Sequence, residues 1–141
     1  MHRAAAAMLL IVSGLPVVGC ARDCQPAVSD GWIRQGPPSM PMRAGFGRIE
    51  NDCPAPLVIT GASSASFGDV SVHESTVVDG ISRMRAIPEL VVPANGSATL
   101  APGGLHLMLG EPRTGLAVGD AIVVEFSLRD GGTLRGEFEV R

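Results

Sequence analysis

Four side chains that can bind a soft metal ion recur in the middle of the sequence with a defined spacing. Ten residues separate His73 from Met84, twenty-one separate Met84 from His106, and Met108 follows two positions later. Thioether sulfur is a neutral, polarisable donor that binds Cu(I) well and harder divalent ions poorly, whereas imidazole accepts several transition metals. A set of two thioethers and two imidazoles therefore predicts a Cu(I) site.

Alternation along the chain predicts which way the histidines point. In the segment 105–109, three leucines alternate with His106 and Met108, so the leucines take the core face and the two donors take the other face. In the segment 70–75, valines alternate with His73 and two serines in the same way. We therefore expect both imidazoles on strand faces opposite the apolar rows.

The other methionines differ in their expected setting. Met84 lies in a predicted strand, 81–87, where it shares a face with small residues. Met40 and Met42 lie in a segment, 35–42, that is expected to be an extended loop or an edge segment because its three prolines cannot donate to a sheet ladder. Met40 and Met42 are either auxiliary copper ligands or apolar loop residues that pack against the domain.

Composition predicts one globular, all-β domain. The 141 residues are 45% hydrophobic and 18% charged, which is typical of a folded chain that can bury a core. Eighteen glycines and eleven prolines divide the apolar segments into short pieces. We expect eight or nine short strands in a β-sandwich with Greek-key connections, and the only Trp, Trp32, is expected to anchor the core.

Charge and motif content disfavour two other classes of function. The formal net charge is −3, there is no lysine, and the arginines are scattered singly, so a nucleic-acid-binding surface is not expected. The sequence also lacks a Ser-His-Asp set, a zinc cluster and a suitable carboxylate pair. We therefore do not expect an enzyme.

The N-terminus resembles an export signal of the lipoprotein type. A short basic start precedes an apolar run of fifteen residues, which is below the roughly 20 that span a bilayer as a helix. Gly19-Cys20 resembles a bacterial lipobox, in which cleavage leaves a lipid on Cys20; ordinary cleavage nearby, with Cys20 discarded, is the alternative. The expected organisation is a signal peptide (1–19), a tether (20–30) and a copper-binding domain (31–141).

The cysteine count of three is odd for an exported protein. If Cys20 is lipidated, Cys24 and Cys53 remain, and an oxidising compartment allows them to form a disulfide. The alternative is a redox-active or copper-binding thiol pair, although Cys24 and Cys53 lack the C-x-x-C spacing that lowers a thiol pKa.

Several segments resemble the periplasmic copper chaperone PCu(A)C family. They are Trp32-Ile33-Arg34, the strand that ends at Asn51, Val72-His73-Glu74, Met84-Arg85, Pro102 to Leu109, and Gly119-Asp120. The resemblance implies a cupredoxin-like β-sandwich that binds one Cu(I) near its surface. It also implies that the metal ligands are His73, Met84, His106 and Met108.

The resemblance further implies a partner for the metal. Relatives pass copper towards the copper subunit of cytochrome oxidase, in some cases together with a thioredoxin-like copper protein. We therefore expect a monomeric periplasmic Cu(I) chaperone that is held at the membrane only by lipid on Cys20. The alternatives are a metal-free or weakly metal-binding lipoprotein interaction module and a periplasmic protein for copper scavenging or tolerance.

Overall fold

The structure, a computed structural model, describes residues 23–141, which form ten β-strands and no helix. In chain order the strands are β1 (Ala27–Ile33), β2 (Met42–Asn51), β3 (Leu57–Ser63), β4 (Phe67–Val78), β5 (Ile81–Ala86), β6 (Leu90–Val92), β7 (Gly96–Leu100), β8 (Leu105–Pro112), β9 (Ala121–Leu128) and β10 (Thr133–Val140). The expected signal peptide and Cys20 lie outside the described residues. Within residues 23–141, no helix is long and apolar enough to cross a membrane.

Seven of the strands form a closed ring. Their order is β4-β8-β2-β1-β10-β9-β3, and a pairing between Ala62 of β3 and Val70 of β4 closes it. β5, β6 and β7 add to the ring by pairing with β4, β3 and β2. β1 and β10 pair in parallel and the other pairs are antiparallel. The all-β prediction is confirmed, with ten strands where the sequence predicted eight or nine.

The core is filled by apolar residues that alternate with exposed ones along the strands. Leu107, Leu109 and Phe126 have no exposed surface. Along β10, exposed and buried positions alternate strictly. Ile33 is also fully buried, whereas its neighbour Trp32 is only partly buried on the outer face. The expectation that Trp32 anchors the core is therefore wrong, because neighbouring residues of a strand point to opposite faces.

Two strand boundaries differ from the sequence-based expectation. β1 begins at Ala27, so the last four residues of the expected tether (20–30) belong to this strand, and the first three of them pair with β2. The pairing shifts register at a bulge between Ser29 and Trp32. β2 begins at Met42, the last residue of the segment for which the prolines had left an extended loop and an edge segment open. In both cases the neighbouring strand supplies hydrogen bonds that composition does not reveal.

A disulfide joins Cys24 to Cys53 and ties the segment before β1 to the turn after β2. The Cα atoms are 5.0 Å apart and the two residues are separated by 29 positions. The same turn is held by the buried side chain of Asn51, whose amide donates to the carbonyl oxygens of Ala55 and Pro93 at 3.0 Å. The N-terminal end of the domain is therefore fixed by both a covalent bond and a buried polar network.

We expect the double substitution Cys24→Ser/Cys53→Ser to lower the free energy of unfolding by about 3 kcal/mol, because it releases a closed loop of this size in the unfolded chain. Denaturant unfolding measures the change, and wild-type protein unfolded in a reductant should show the same loss. Equal stability of the oxidised wild type and the double variant would contradict the prediction.

Candidate metal centre

The pairing of β4 with β8 places two imidazoles side by side on the outer face of the sheet. His73 lies directly opposite His106, and their ring centroids are 6.0 Å apart. Met108 lies opposite Ser71, one step of two residues further along the same face. The structure thus brings three of the four predicted donor residues to adjacent positions on two strands.

Met84 lies on the other side of the histidine pair from Met108. β5 pairs with β4 so that Met84 is opposite Ser75, which shares the face of His73. All six residues of β5 are exposed, and Met84 is 54% exposed. The fourth predicted donor is therefore on the same face as the others, on an edge strand that is open to solvent.

The buried leucines of β8 explain why its donors point outward. Leu107 and Leu109 have no exposed surface and pack in the core opposite Val72 and Val70 of β4. Because alternate residues of a strand point to opposite faces, burial of these leucines directs the intervening side chains outward. The face predicted from the 105–109 alternation is the face observed.

Aromatic side chains form one wall of the site. The ring centroids of Trp32 and Phe46 are 4.6 Å apart, with the two planes tilted by 40°. The centroid of the Phe46 ring lies 6.5 Å from that of His106. The guanidinium of Arg34 lies over both aromatic rings, 5.8 Å from the first and 5.2 Å from the second. As a result His106 is only 5% exposed although it is on the outer face.

Sequence reasoning missed this wall. Trp32 and Phe46 are on β1 and β2, far from the histidines in sequence, and their place in the site follows from the order β4-β8-β2-β1 in the sheet. The one signal in the sequence is that Trp32 and Ile33 are adjacent in a predicted strand, so that only one of them can point into the core. This alternation separates the two faces of the strand, but it does not identify the strand that lies next to it.

The tautomer of His106 is set by the turn before β8. Its Nδ1 lies 2.9 Å from the carbonyl oxygen of Gly104. A carbonyl oxygen only accepts hydrogen bonds, so Nδ1 carries the proton in this contact. The neutral ring then has its lone pair on Nε2, which is the arrangement that orients a histidine for metal binding.

His73 has one ring nitrogen with a partner and one without. Its Nε2 lies 3.0 Å from the hydroxyl oxygen of Ser71, while Nδ1 is buried and has no hydrogen-bond partner among residues 23–141. Buried polar atoms are rarely left without a partner in folded proteins. The donor chemistry at Nδ1 therefore fits a metal ion, for which an imidazole nitrogen needs a free lone pair.

The environment favours the neutral form of His73. Burial lowers the pKa of His73 below the usual 6.5, and the neighbouring imidazole of His106 lowers it further. The Asp69 carboxylate acts in the opposite direction and raises the pKa of His73. Because the first two effects outweigh the third, the pKa of His73 lies below its usual value and the ring is predominantly neutral at pH 7.

In the metal-free protein, we expect a pKa of His73 below 6.5. Protons and a metal ion compete for the same nitrogen lone pair, so His73 should lose its binding competence only at a pH below that of an ordinary histidine. The measurement is an NMR titration of the imidazole nitrogens. In Asp69→Asn, which removes the opposing carboxylate at an exposed position, the pKa of His73 should fall further. A pKa of 6.5 or above in both proteins would contradict this account.

The remaining predicted site residues occupy three other positions. Met42 begins β2 opposite Gly110, on the face of Met108, whereas Met40 stays in the loop before β2. Cys24 and Cys53 lie with Asp52 in a small cluster, but both sulfurs are used in the disulfide and provide no thiolate for a metal.

Comparison with known proteins agrees with these observations. Residues 26–140 match the family described as "Putative lipoprotein LpqE-like". The chain belongs to this family. It is 31% identical over 107 residues to "Putative lipoprotein Lxx21020" of Leifsonia xyli subsp. xyli (strain CTCB07). This alignment covers 75% of this chain and 63% of the relative. The chain thus spans less than two thirds of the length of that lipoprotein.

Solved structures of PCuAC domains share the fold of this LpqE-like chain. Cu(I)-DR1885 from Deinococcus radiodurans aligns with a TM-score of 0.67 and 26% identity over 86% of this chain and 83% of its own. The copper-bound PCuAC domain from PmoF2 aligns with a TM-score of 0.65 and 19% identity over 81% of this chain and 90% of its own. The resemblance to the PCu(A)C family and the cupredoxin-like β-sandwich are confirmed.

Proposed function

We propose that the protein is an exported Cu(I)-binding chaperone that delivers copper to another copper protein. The observation that carries the proposal is the meeting of two imidazoles and two thioethers on one outer face, around a pair formed by His73 and His106. This donor set suits a soft monovalent ion better than a hard divalent one. The likeness to copper-bound PCuAC domains supports the proposal independently.

Each imidazole presents one nitrogen to the metal. His106 would bind through Nε2, since its Nδ1 donates to Gly104. His73 would bind through the buried Nδ1, with its Nε2 proton donated to the hydroxyl oxygen of Ser71. Hydrogen bonds of this kind fix the tautomer and orientation of a metal-binding histidine.

The thioethers of Met84 and Met108 complete the set of four donors and make release possible. Thioethers are neutral ligands, and Met84 is exposed to solvent and to an approaching protein. An acceptor could replace one donor at a time while the imidazoles still hold the ion. Stepwise exchange of this kind would transfer Cu(I) without forming a free ion.

The acceptor and the location remain part of the proposal. From the family resemblance we infer delivery to the copper subunit of a cytochrome oxidase, with or without a thioredoxin-like copper protein. The lipobox-like Gly19-Cys20 and the lipoprotein relatives support an exported protein that is anchored to the membrane by lipid on Cys20, and we infer that it is a monomer. A binding role without catalysis fits the donor set and the absence of a catalytic motif.

We expect wild-type protein to bind one Cu(I) per chain in competition with a Cu(I) chelator. Met84→Leu should weaken binding by about tenfold or more, and His106→Asn by about 100-fold. Even the loss of a group that only hydrogen-bonds to a metal ligand lowers metal affinity about 10- to 100-fold. Met84 is exposed and leucine has similar volume, so this variant should fold normally.

Met40→Leu is the matched control and should bind like wild type. Unfolding curves of each variant separate lost binding from lost structure, which matters for the buried His106. Failure of the folded wild type to bind one Cu(I) would contradict the chaperone proposal and favour a metal-free interaction module.

Transfer should depend on the acceptor. When Cu(I)-loaded protein is mixed with increasing concentrations of a Cu(I) chelator, the observed transfer rate should rise with chelator concentration, because the incoming ligand takes part in the exchange. Stopped-flow absorbance of the chelator complex gives the rate. A rate that equals spontaneous dissociation at every chelator concentration would rule out direct ligand exchange.

A further inference from the structure

We propose that Met42 and Met108 form a second, outer Cu(I) site through which the ion enters and leaves the four-residue site. This proposal deepens the proposed function and rests on it. It assigns a role to Met42 and none to Met40, although the two methionines are equivalent in the sequence pattern. Four observations on the position of Met42 support it.

The first observation is the register of β2 against β8. Met42 pairs with Gly110 and Ala44 pairs with Met108, so Met42 and Met108 are diagonal neighbours on one face. Diagonal neighbours in an antiparallel pair are about 7–8 Å apart, which is within reach of long side chains. Both thioethers can therefore contact one ion from neighbouring strands.

The second observation is the packing of the Met42 side chain on Gly110, which is buried. A Cβ atom at this position would lie 3.7 Å from the Sδ atom of Met42 and 3.7 Å from the Cβ atom of Asp69. The Met42 sulfur therefore lies over Gly110, on the strand that carries Met108. Because glycine has no side chain, the thioether can approach β8 closely.

The third observation is the negative charge beside Gly110. Asp69 is exposed and pairs with Gly110 from the β4 side, opposite Met42 on the β2 side. A negative charge near two neutral sulfurs attracts a monovalent cation without binding it as tightly as two imidazoles would.

The fourth observation is the contrasting place of Met40. Its Sδ atom and Nη1 of Arg43 each lie 3.5 Å from the point where a Cβ atom of Gly36 would be. The guanidinium of Arg43 is buried and donates to the carbonyl oxygens of Met40 and Pro37. The sulfur of Met40 and this fixed cation therefore lie within about 7 Å of each other, and like charges repel at such a distance, so a second cation is less favoured there.

Together the donors form a line along one face. The order is Met84, then the pair His73 and His106, then Met108, and finally Met42. Met108 belongs to both sites, so an ion can move outward by keeping Met108 while it exchanges the imidazoles for Met42. With two thioethers and no imidazole, the outer site should be weaker and should fill only after the inner one.

Ag(I), a soft monovalent ion that does not change oxidation state in this use, is a direct probe. We would label the methionine methyl groups of the full exported chain with ¹³C and add Ag(I) in steps. The Met42 methyl resonance should shift beyond the first equivalent, whereas the Met40 resonance should not. In Met108→Leu the shift of Met42 should be lost, because the outer site then lacks one of its two thioethers.

Transfer kinetics give a second, independent readout. Met42→Leu should slow transfer of Cu(I) to a chelator by about tenfold, equal to about 1.4 kcal/mol in the barrier, while the affinity of the inner site stays within about twofold of wild type. Met40→Leu, an equally conservative change at another exposed methionine, should alter neither quantity.

The outcomes separate this proposal from the chaperone function. If wild type binds one Cu(I) but the Met42 resonance never moves and Met42→Leu transfers at the wild-type rate, the outer site is wrong and the chaperone function stands. If Met40 and Met42 respond equally, the assignment to Met42 is also wrong. If no Cu(I) binds to the folded wild type, both proposals fail.

Discussion

The register between β4 and β8 is the constraint on which the site depends. His73 and His106 face each other only in this alignment, and a slip by one residue would turn one of the imidazoles into the core. The slip is prevented because it would also expose Leu107 and Leu109, which are fully buried. The packing of the core and the placement of the donor residues therefore depend on the same pairing of β4 with β8. A change that loosens the packing of the leucines would also displace the donors.

Burial changes across the site in a direction that suits a carrier of metal ions. His106 is shielded by Phe46, which contacts Trp32, and its Nδ1 donates a hydrogen bond to the carbonyl oxygen of Gly104. Met84, on an edge strand, is mostly exposed. A fully buried site would hold copper but would be slow to release it, and a fully exposed one would not exclude water. In the proposed function, the buried side would orient the ion and the exposed side would be open to an acceptor protein.

The sequence predicts the faces of the strands well and their neighbours poorly. Alternation of leucine with His106 and Met108 indicates the outward face, because the period of two is a local property of a strand. That His73 lies opposite His106, and that Trp32 belongs to the wall of the site, depends on the order of strands in the sheet. Pairing between distant segments is a tertiary property, and neither spacing nor composition determines it. The pairing of Cys24 with Cys53, in contrast, is the prediction that the cysteine count gives if Cys20 is lipidated, and the structure contains this disulfide.

The buried cation Arg43 shows why two similar methionines differ. Its guanidinium lies on the core side of β2 and donates to carbonyl oxygens of the preceding loop, including that of Met42 at 3.0 Å. These bonds fix the backbone at the start of β2, so the alternation of the strand turns Met42 to the outer face. The same guanidinium and the sulfur of Met40 each lie 3.5 Å from the point where a Cβ atom of Gly36 would be, and a positive charge at this range disfavours a bound cation. One buried charge can thus account for the different roles that we propose for the two methionines.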